Sequence, residues 1–211
     1  MTTKVKICGI TNLADAREAA RLGADFLGLN FYEQSPRYIA PMDAAEISSQ
    51  IKRELPHTKI VGVFVNSEPS AINEIAQQAQ LDLIQFHGDE QKLLTFARPV
   101  WRAVRMRDDA TLDIPSLLLG TVGILIDAFS DHAYGGTGKT ANWDIVATLR
   151  DQLPYLILAG GLTSANVATA ISKTAPDVVD TASGVEVDGN PRRKDWEKIR
   201  AFIEAARKTN F

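Results

Sequence analysis

Lys4-Val5-Lys6-Ile7-Cys8-Gly9-Ile10-Thr11 reads as a short strand that ends in a glycine turn and runs into a helix over Leu13–Leu22. Its β-branched positions alternate with polar ones, the period of a strand with one face in a core. Asn12 stands where a helix needs a capping side chain, and Asp15 lies in the first turn to accept free amides. Gly23 marks the helix end.

The same unit recurs along the chain. Strand-like runs follow at Phe26–Phe31, Ile60–Val65, Leu83–His87, Val100–Val104, Gly123–Asp127, Tyr155–Leu158 and Val178–Asp180. Helix-like segments separate them at Asp43–Glu54, Ser70–Gln80, Glu90–Ala97, Ile114–Leu119, Asn142–Leu153 and Ser164–Lys173, and a last one runs over Lys194–Lys208. Pro41, Pro69 and Pro154 fall where the chain is expected to turn. Strands alternating with helices imply a parallel sheet. Eight units in order predict an α/β fold, a single (β/α)8 TIM barrel over residues 1–211. An open doubly wound sheet is the competing fold; even units without a long insertion suit closure better. No linker or change of composition divides the chain.

Composition narrows the function. The 211 residues carry a net charge of −3, so no basic field draws nucleic acid or anionic membrane. A single cysteine excludes an internal disulfide and a multi-cysteine zinc site. His57, His87 and His132 show no ligand-like spacing, so neither metal nor cofactor is expected. The chain enters its first strand without a signal peptide, and no apolar run nears the roughly 18 residues of a membrane span. A cytoplasmic protein acting on a small molecule, as monomer or homodimer, is the expectation.

In a barrel of this kind, chemistry gathers at the C-terminal ends of the strands. Those ends carry Cys8, Arg105, Asp127, His87 and Asp180, with Arg37 in the loop after the second strand. Alternation turns Val5 and Ile7 outward and Lys6 and Cys8 inward. A lone cysteine is most often a small buried hydrophobe. Beside Lys6 its thiolate would be favoured, and the thiolate is the reactive form. The same alternation points Leu125 and Asp127 inward, where a carboxyl needs a partner or a task. Arg37, fixed by Pro36 beside Tyr38, suits bidentate carboxylate recognition. His87 shares a face with Gln85, and either contacts substrate or bonds across the rim. Asp180 shares the inward face with Val178. Closure makes the first and eighth strands neighbours, so Lys6 and Asp180 are candidates to pair inside; Asp180 could instead bond substrate.

Two loops suit an anion. Gly160-Gly161 precedes Thr163-Ser164 at an expected helix start, and Ser183-Gly184 follows the eighth strand. Glycines let a ligand approach backbone N–H groups, and phosphate sites recur after strands seven and eight of this fold. Gly135-Gly136-Thr137-Gly138-Lys139-Thr140 imitates a nucleotide-binding loop, but Ala133 stands where that motif has its first glycine. A Gly-rich lid beside Asp127 is the preferred reading.

With these residues assembled, the chain resembles the phosphoribosylanthranilate isomerase family of tryptophan biosynthesis. The resemblance rests on Lys6–Thr11, Phe31-Tyr32 through Tyr38, Gln85–Glu90, Asp127-Ala128 with Gly135–Thr140, Leu158–Leu162 and Ser183–Glu186, in that order. It implies that Cys8 is the general base and Asp127 the general acid of an Amadori rearrangement. It further implies that Arg37 holds the anthranilate carboxylate and that the Gly-rich loops bind phosphate, with no redox step or metal. The family usually has serine where this chain has Ala182, which removes one hydroxyl from the phosphate site. A related phosphosugar isomerase or epimerase, and an inactive phosphate-binding module, are the alternatives; Cys8 with Asp127 argues against both.

Overall fold

The first strand pairs with the last. In the computed structural model, which describes residues 2–88, 96–106, 112–128 and 142–208, eight parallel strands join in sequence order and close into a barrel. They are β1 (Lys4–Cys8), β2 (Phe26–Asn30), β3 (Lys59–Val65), β4 (Leu83–His87), β5 (Val100–Met106), β6 (Gly123–Ala128), β7 (Leu156–Leu158) and β8 (Val178–Thr181). At the seam Lys6 stands opposite Asp180 and Ile7 opposite Thr181. The closed barrel expected from eight units is what forms. The helix expected at 90–97 falls largely outside the described residues, and the Gly-rich loop at 135–140 falls wholly outside them.

Alternation on the strands sorts the apolar residues into two cores. Val5, Ile7, Ile124 and Ile126 face outward and are sealed against the helices. These are α1 (Leu13–Arg21), α2 (Pro41–Glu54), α3 (Pro69–Gln78), α4 (Ile114–Leu118), α5 (Trp143–Leu149), α6 (Val167–Thr174) and α7 (Trp196–Arg207). Phe26, Val61, Trp101, Leu125, Ile157 and Val178 form the second core, inside the barrel. Phe26 and Trp101 meet edge to face with centroids 4.9 Å apart, and Tyr155 stacks at 6.2 Å from Trp101. All three lie within one residue of the starts of their strands, so aromatic rings floor the barrel and leave its other end for chemistry.

Local sequence explains most helix starts. Asn12 accepts the Asp15 amide at 2.9 Å and caps α1. Pro41 and Pro69 are the first residues of α2 and α3, not turn residues outside them. A proline N-terminal in a helix lacks only a donor that the helix would leave unpaired anyway. The final helix starts at Trp196, not at Lys194. Asp195 caps it, accepting from the Glu197 amide at 3.0 Å and the Lys198 amide at 3.1 Å.

Lys194 belongs instead to a two-stranded excursion between β8 and α7, formed by β9 (Glu186–Val187) and β10 (Asn190–Lys194). Asp15 fastens it. That fully buried carboxylate accepts the Lys194 amide at 2.9 Å, the Trp196 indole N–H at 3.0 Å and the Asn12 side-chain amide at 2.6 Å. Its work is thus to hold the hairpin, not to accept free amides of its own helix. Asp15→Ala leaves three donors without their acceptor, all of them in buried or partly buried bonds, each costing about 1–3 kcal/mol. Urea denaturation should show about 2–5 kcal/mol lost; a loss within about 0.5 kcal/mol, the range of an ordinary surface change, would remove this role.

Candidate active site

The open end of the barrel is a concave cavity, the usual form of a small-molecule site. Its wall carries Cys8 from β1, His87 from β4, Asp127 from β6 and Asp180 from β8. Arg37, Gly160, Gly161 and Ser183 reach it from loops. Eight of the ten residues singled out in the sequence therefore share one cavity.

The other two stand apart from the lining. Arg105 pairs in register with Asp127 on the neighbouring strand and is close enough to act electrostatically on His87. Gly184 faces the β7 loop: a Cβ built on it would lie 2.1 Å from the Leu162 carbonyl oxygen. Thr181 Oγ1 donates to that same oxygen at 2.8 Å. Gly184 thus lets the β8 loop lock onto the β7 loop, with Ser183 facing the cavity.

The β7 loop is held in shape from within. Gly160 and Gly161 take φ values of +88° and +61°, a left-handed pair that side chains disfavour. Asn166 accepts the Thr163 amide at 2.8 Å and donates to the Gly161 carbonyl at 3.0 Å. These bonds build a turn over 164–166, so α6 begins at Val167, later than Thr163-Ser164 suggested. The anion-binding capacity here resides in the loop backbone, not in a helix beginning at the glycines.

Beneath the cavity lie buried ions. Lys6 is fully buried, and its ammonium donates to Asp180 Oδ2 at 2.9 Å. The pairing suggested by closure is present. Burial alone would strip charge from Lys6; attraction to Asp180 and Cys8 outweighs it and holds the lysine above its usual range. Burial pushes the Cys8 thiol up, Lys6 pulls it back and Asp180 opposes that pull. Gly28, in the middle of β2, makes room for this arrangement. A Cβ there would come within 2.8 Å of Cys8 Sγ and 3.1 Å of Lys6 Nζ.

Arg37 is already gripped. Its Nε and Nη2 donate to the two oxygens of Glu186 at 2.6 and 3.0 Å. Lys194 donates to the same carboxylate at 3.0 Å and to the Ala182 carbonyl at 3.2 Å. Burial tends to raise the Glu186 carboxyl, but the two cations win and hold it below the usual range. The Arg37 stem lies across Gly9, where a Cβ would meet its Cδ at 2.6 Å. Arg37 lines the cavity, and its Nη1 stands outside this pair of bonds. Sequence reading missed Glu186 and Lys194 as partners of Arg37. The signal was thin: Lys194 looked like the start of the last helix, and Asp195 as its cap was the clue to the contrary.

His87 Nε2 lies 2.8 Å from Gln85 Nε2. Burial, with Lys6 and Arg105 adding repulsion, pushes the imidazole from 6.5 down to about 3. The ring is neutral at physiological pH and serves as a hydrogen-bonding wall, not a cationic one. Between about pH 6.5 and about pH 3 the unfolded chain binds a proton that the folded chain refuses, so stability falls as pH drops through that window. His87→Asn should flatten this part of the stability curve by up to a few kcal/mol. Urea titrations near pH 7 and again between pH 4 and 5 measure it; equal slopes in both proteins would refute the neutral buried ring.

Comparison with known proteins places the chain. A model of the family "N-(5'phosphoribosyl)anthranilate (PRA) isomerase" matches residues 5–205. The N-(5'-phosphoribosyl)anthranilate isomerase of Pelobacter propionicus is 45% identical over 208 residues, covering 98% of this chain and 96% of that one. A crystal structure of mutually generated monomers of the dimeric Thermotoga maritima phosphoribosylanthranilate isomerase superposes with TM-score 0.83 at 38% identity, over 98% of this chain and all of that one. A second crystal structure, of a phosphoribosyl anthranilate isomerase with reduced 1-(o-carboxyphenylamino)-1-deoxyribulose 5-phosphate, superposes with TM-score 0.80 at 36% identity over the same shares.

Proposed function

The chain belongs to the N-(5'-phosphoribosyl)anthranilate isomerase family and is an isomerase of tryptophan biosynthesis, and on that premise we propose how its own residues perform the reaction. Cys8 is the general base and Asp127 the general acid. The observation that carries this is their joint presence in one cavity, on β1 and β6, with β8 and β7 standing between them. Such a spacing lets the two groups work on different atoms of one sugar.

The substrate's phosphate sits among the Gly160-Gly161 loop and Ser183, where backbone N–H groups replace its water shell. Ala182 leaves that subsite without a second hydroxyl. The anthranilate carboxylate meets Arg37. The Asp127 carboxylic acid donates its proton to the ribose ring oxygen as the C1′–O bond breaks, and the anilino nitrogen lone pair forms a protonated imine at C1′. The Cys8 thiolate then removes the C2′ proton, and those electrons neutralise the imine to give an enolamine. Tautomerisation yields 1-(2-carboxyphenylamino)-1-deoxyribulose 5-phosphate. Asp180 keeps one carboxylate oxygen, Oδ1, with no hydrogen-bond partner among the described residues. That oxygen is buried, so a sugar hydroxyl donates to it only once the cavity wall shifts to admit it. By analogy with the Thermotoga relative, two copies can associate; size-exclusion chromatography with light scattering separates monomer from homodimer.

The decisive assay follows the loss of anthranilate-type fluorescence when purified protein meets phosphoribosylanthranilate. Conversion is expected, and no conversion would favour a phosphate-binding module. Cys8→Ser and Asp127→Asn should each cost about 10²–10⁴ in kcat, the usual weight of one acid–base group, with the melting transition intact. Retained turnover in either variant reassigns that role. Arg37→Ala should raise KM about tenfold or more through the lost charge-assisted bond. Because burial raises the Cys8 thiol, kcat/KM should climb with pH into the alkaline range; a flat profile there would contradict a thiol base.

A further inference from the structure

Lysine has three N–H donors, and burying them without acceptors is costly. Asp180 Oδ2 takes one Lys6 donor at 2.9 Å. The ammonium also borders the slot over Gly28, where a built Cβ would lie 3.1 Å from Nζ and 2.8 Å from Cys8 Sγ. Lys6 and Cys8 project from the same face of β1, and the absence of a side chain at Gly28 lets the thiol and the ammonium lie side by side. Among the described residues, the other cations that act on Cys8 are Arg37 from the loop after β2 and Lys194 from β10, which share the single carboxylate of Glu186 of β9. His87 of β4 is neutral, and Asp127 lies beyond β8 and β7.

We infer that Lys6 is a positioning residue for the base: anchored on one side by Asp180, its ammonium stabilises the Cys8 thiolate on the other, in a slot that Gly28 keeps open. This rests on the role proposed for Cys8 and adds what sets that group's ionisation. Asp180 has two effects in the device. It keeps Lys6 charged and in place, and its own negative charge competes with the thiolate for the same ammonium.

Because Cys8 is the sole cysteine of the chain, its titration can be read without turnover. Thiolate absorbance near 240 nm and the pH dependence of iodoacetamide alkylation both report it alone. In Lys6→Met the midpoint should move up, cutting the alkylation rate at pH 7 by about tenfold or more, one unit of pKa. In Gly28→Ala, whose Cβ would separate thiol from ammonium, it should move the same way by about threefold or more. In Asp180→Asn it should move down, with faster alkylation, because the competing charge is gone, the amide oxygen still holds Lys6, and the neighbouring thiolate itself favours the charged lysine.

A change below about twofold in Lys6→Met with a native melting transition overturns the inference. Where Lys6→Met does not fold, the opposed shifts of Gly28→Ala and Asp180→Asn decide; shifts of the same sign, or none, overturn it. An unmoved midpoint in an enzyme that still needs Cys8 refutes Lys6 alone. A moved midpoint in an enzyme whose Cys8→Ser variant turns over refutes the base and leaves the Lys6 contact standing.

Discussion

An ammonium and a carboxylate shut away from water must keep each other, and here that obligation falls on the seam of the barrel. Lys6 and Asp180 stand opposite one another where β1 meets β8. Removing either from such a buried pair leaves an uncompensated charge worth about 3–5 kcal/mol. The pair also sets register. A slip of one residue would turn Lys6 into the apolar layer under the helices and bring Ile7 inside, so closure has one acceptable alignment. Every other strand can then take its place in order, and the sheet has no free edge.

Polar and apolar duties are divided along the barrel axis. Aromatic rings around Trp101 close the end where strands begin, and acid–base groups occupy the end where they finish. Within the polar half, charges come in shared sets. Glu186 serves both Arg37 and Lys194, and Lys6 serves both Asp180 and Cys8. Each set borders the cavity, through Arg37 in the first and through Asp180 and Cys8 in the second. A substrate carrying a carboxylate, a hydroxylated sugar and a phosphate offers matching groups for these sets and for the loop amides.

Much of this was legible in the chain. Period-two alternation placed Val5, Ile7, Ile124 and Ile126 outside and Lys6, Cys8 and Asp127 inside, because a strand has only two faces. Paired glycine loops after the seventh and eighth strands were equally visible. What stayed hidden depends on contacts across sequence. Glu186 and Arg37 are 149 positions apart, and nothing local marks either as the other's partner. The β9–β10 hairpin carries Pro191 and three consecutive cations, so it has no apolar alternation and owes its strands to Asp15. Gly28 reads as one more glycine in an apolar strand; its need is set by the thiol and ammonium of the adjacent strand. Gly184 was legible as a loop glycine, but the Leu162 carbonyl that requires it was not.

Lys6 and Asp180 are 174 positions apart, which ties the surroundings of the thiol to the order of synthesis. The first strand leaves the ribosome early and its electrostatic partner nearly last. Until β8 is made and paired, Cys8 travels as an ordinary cysteine on an unclosed sheet, without the buried ammonium beside it. Contacts so distant also belong to the slow, late part of folding. A chain cut short before residue 178 therefore keeps Cys8 and Lys6 but lacks the carboxylate that anchors the lysine at the seam.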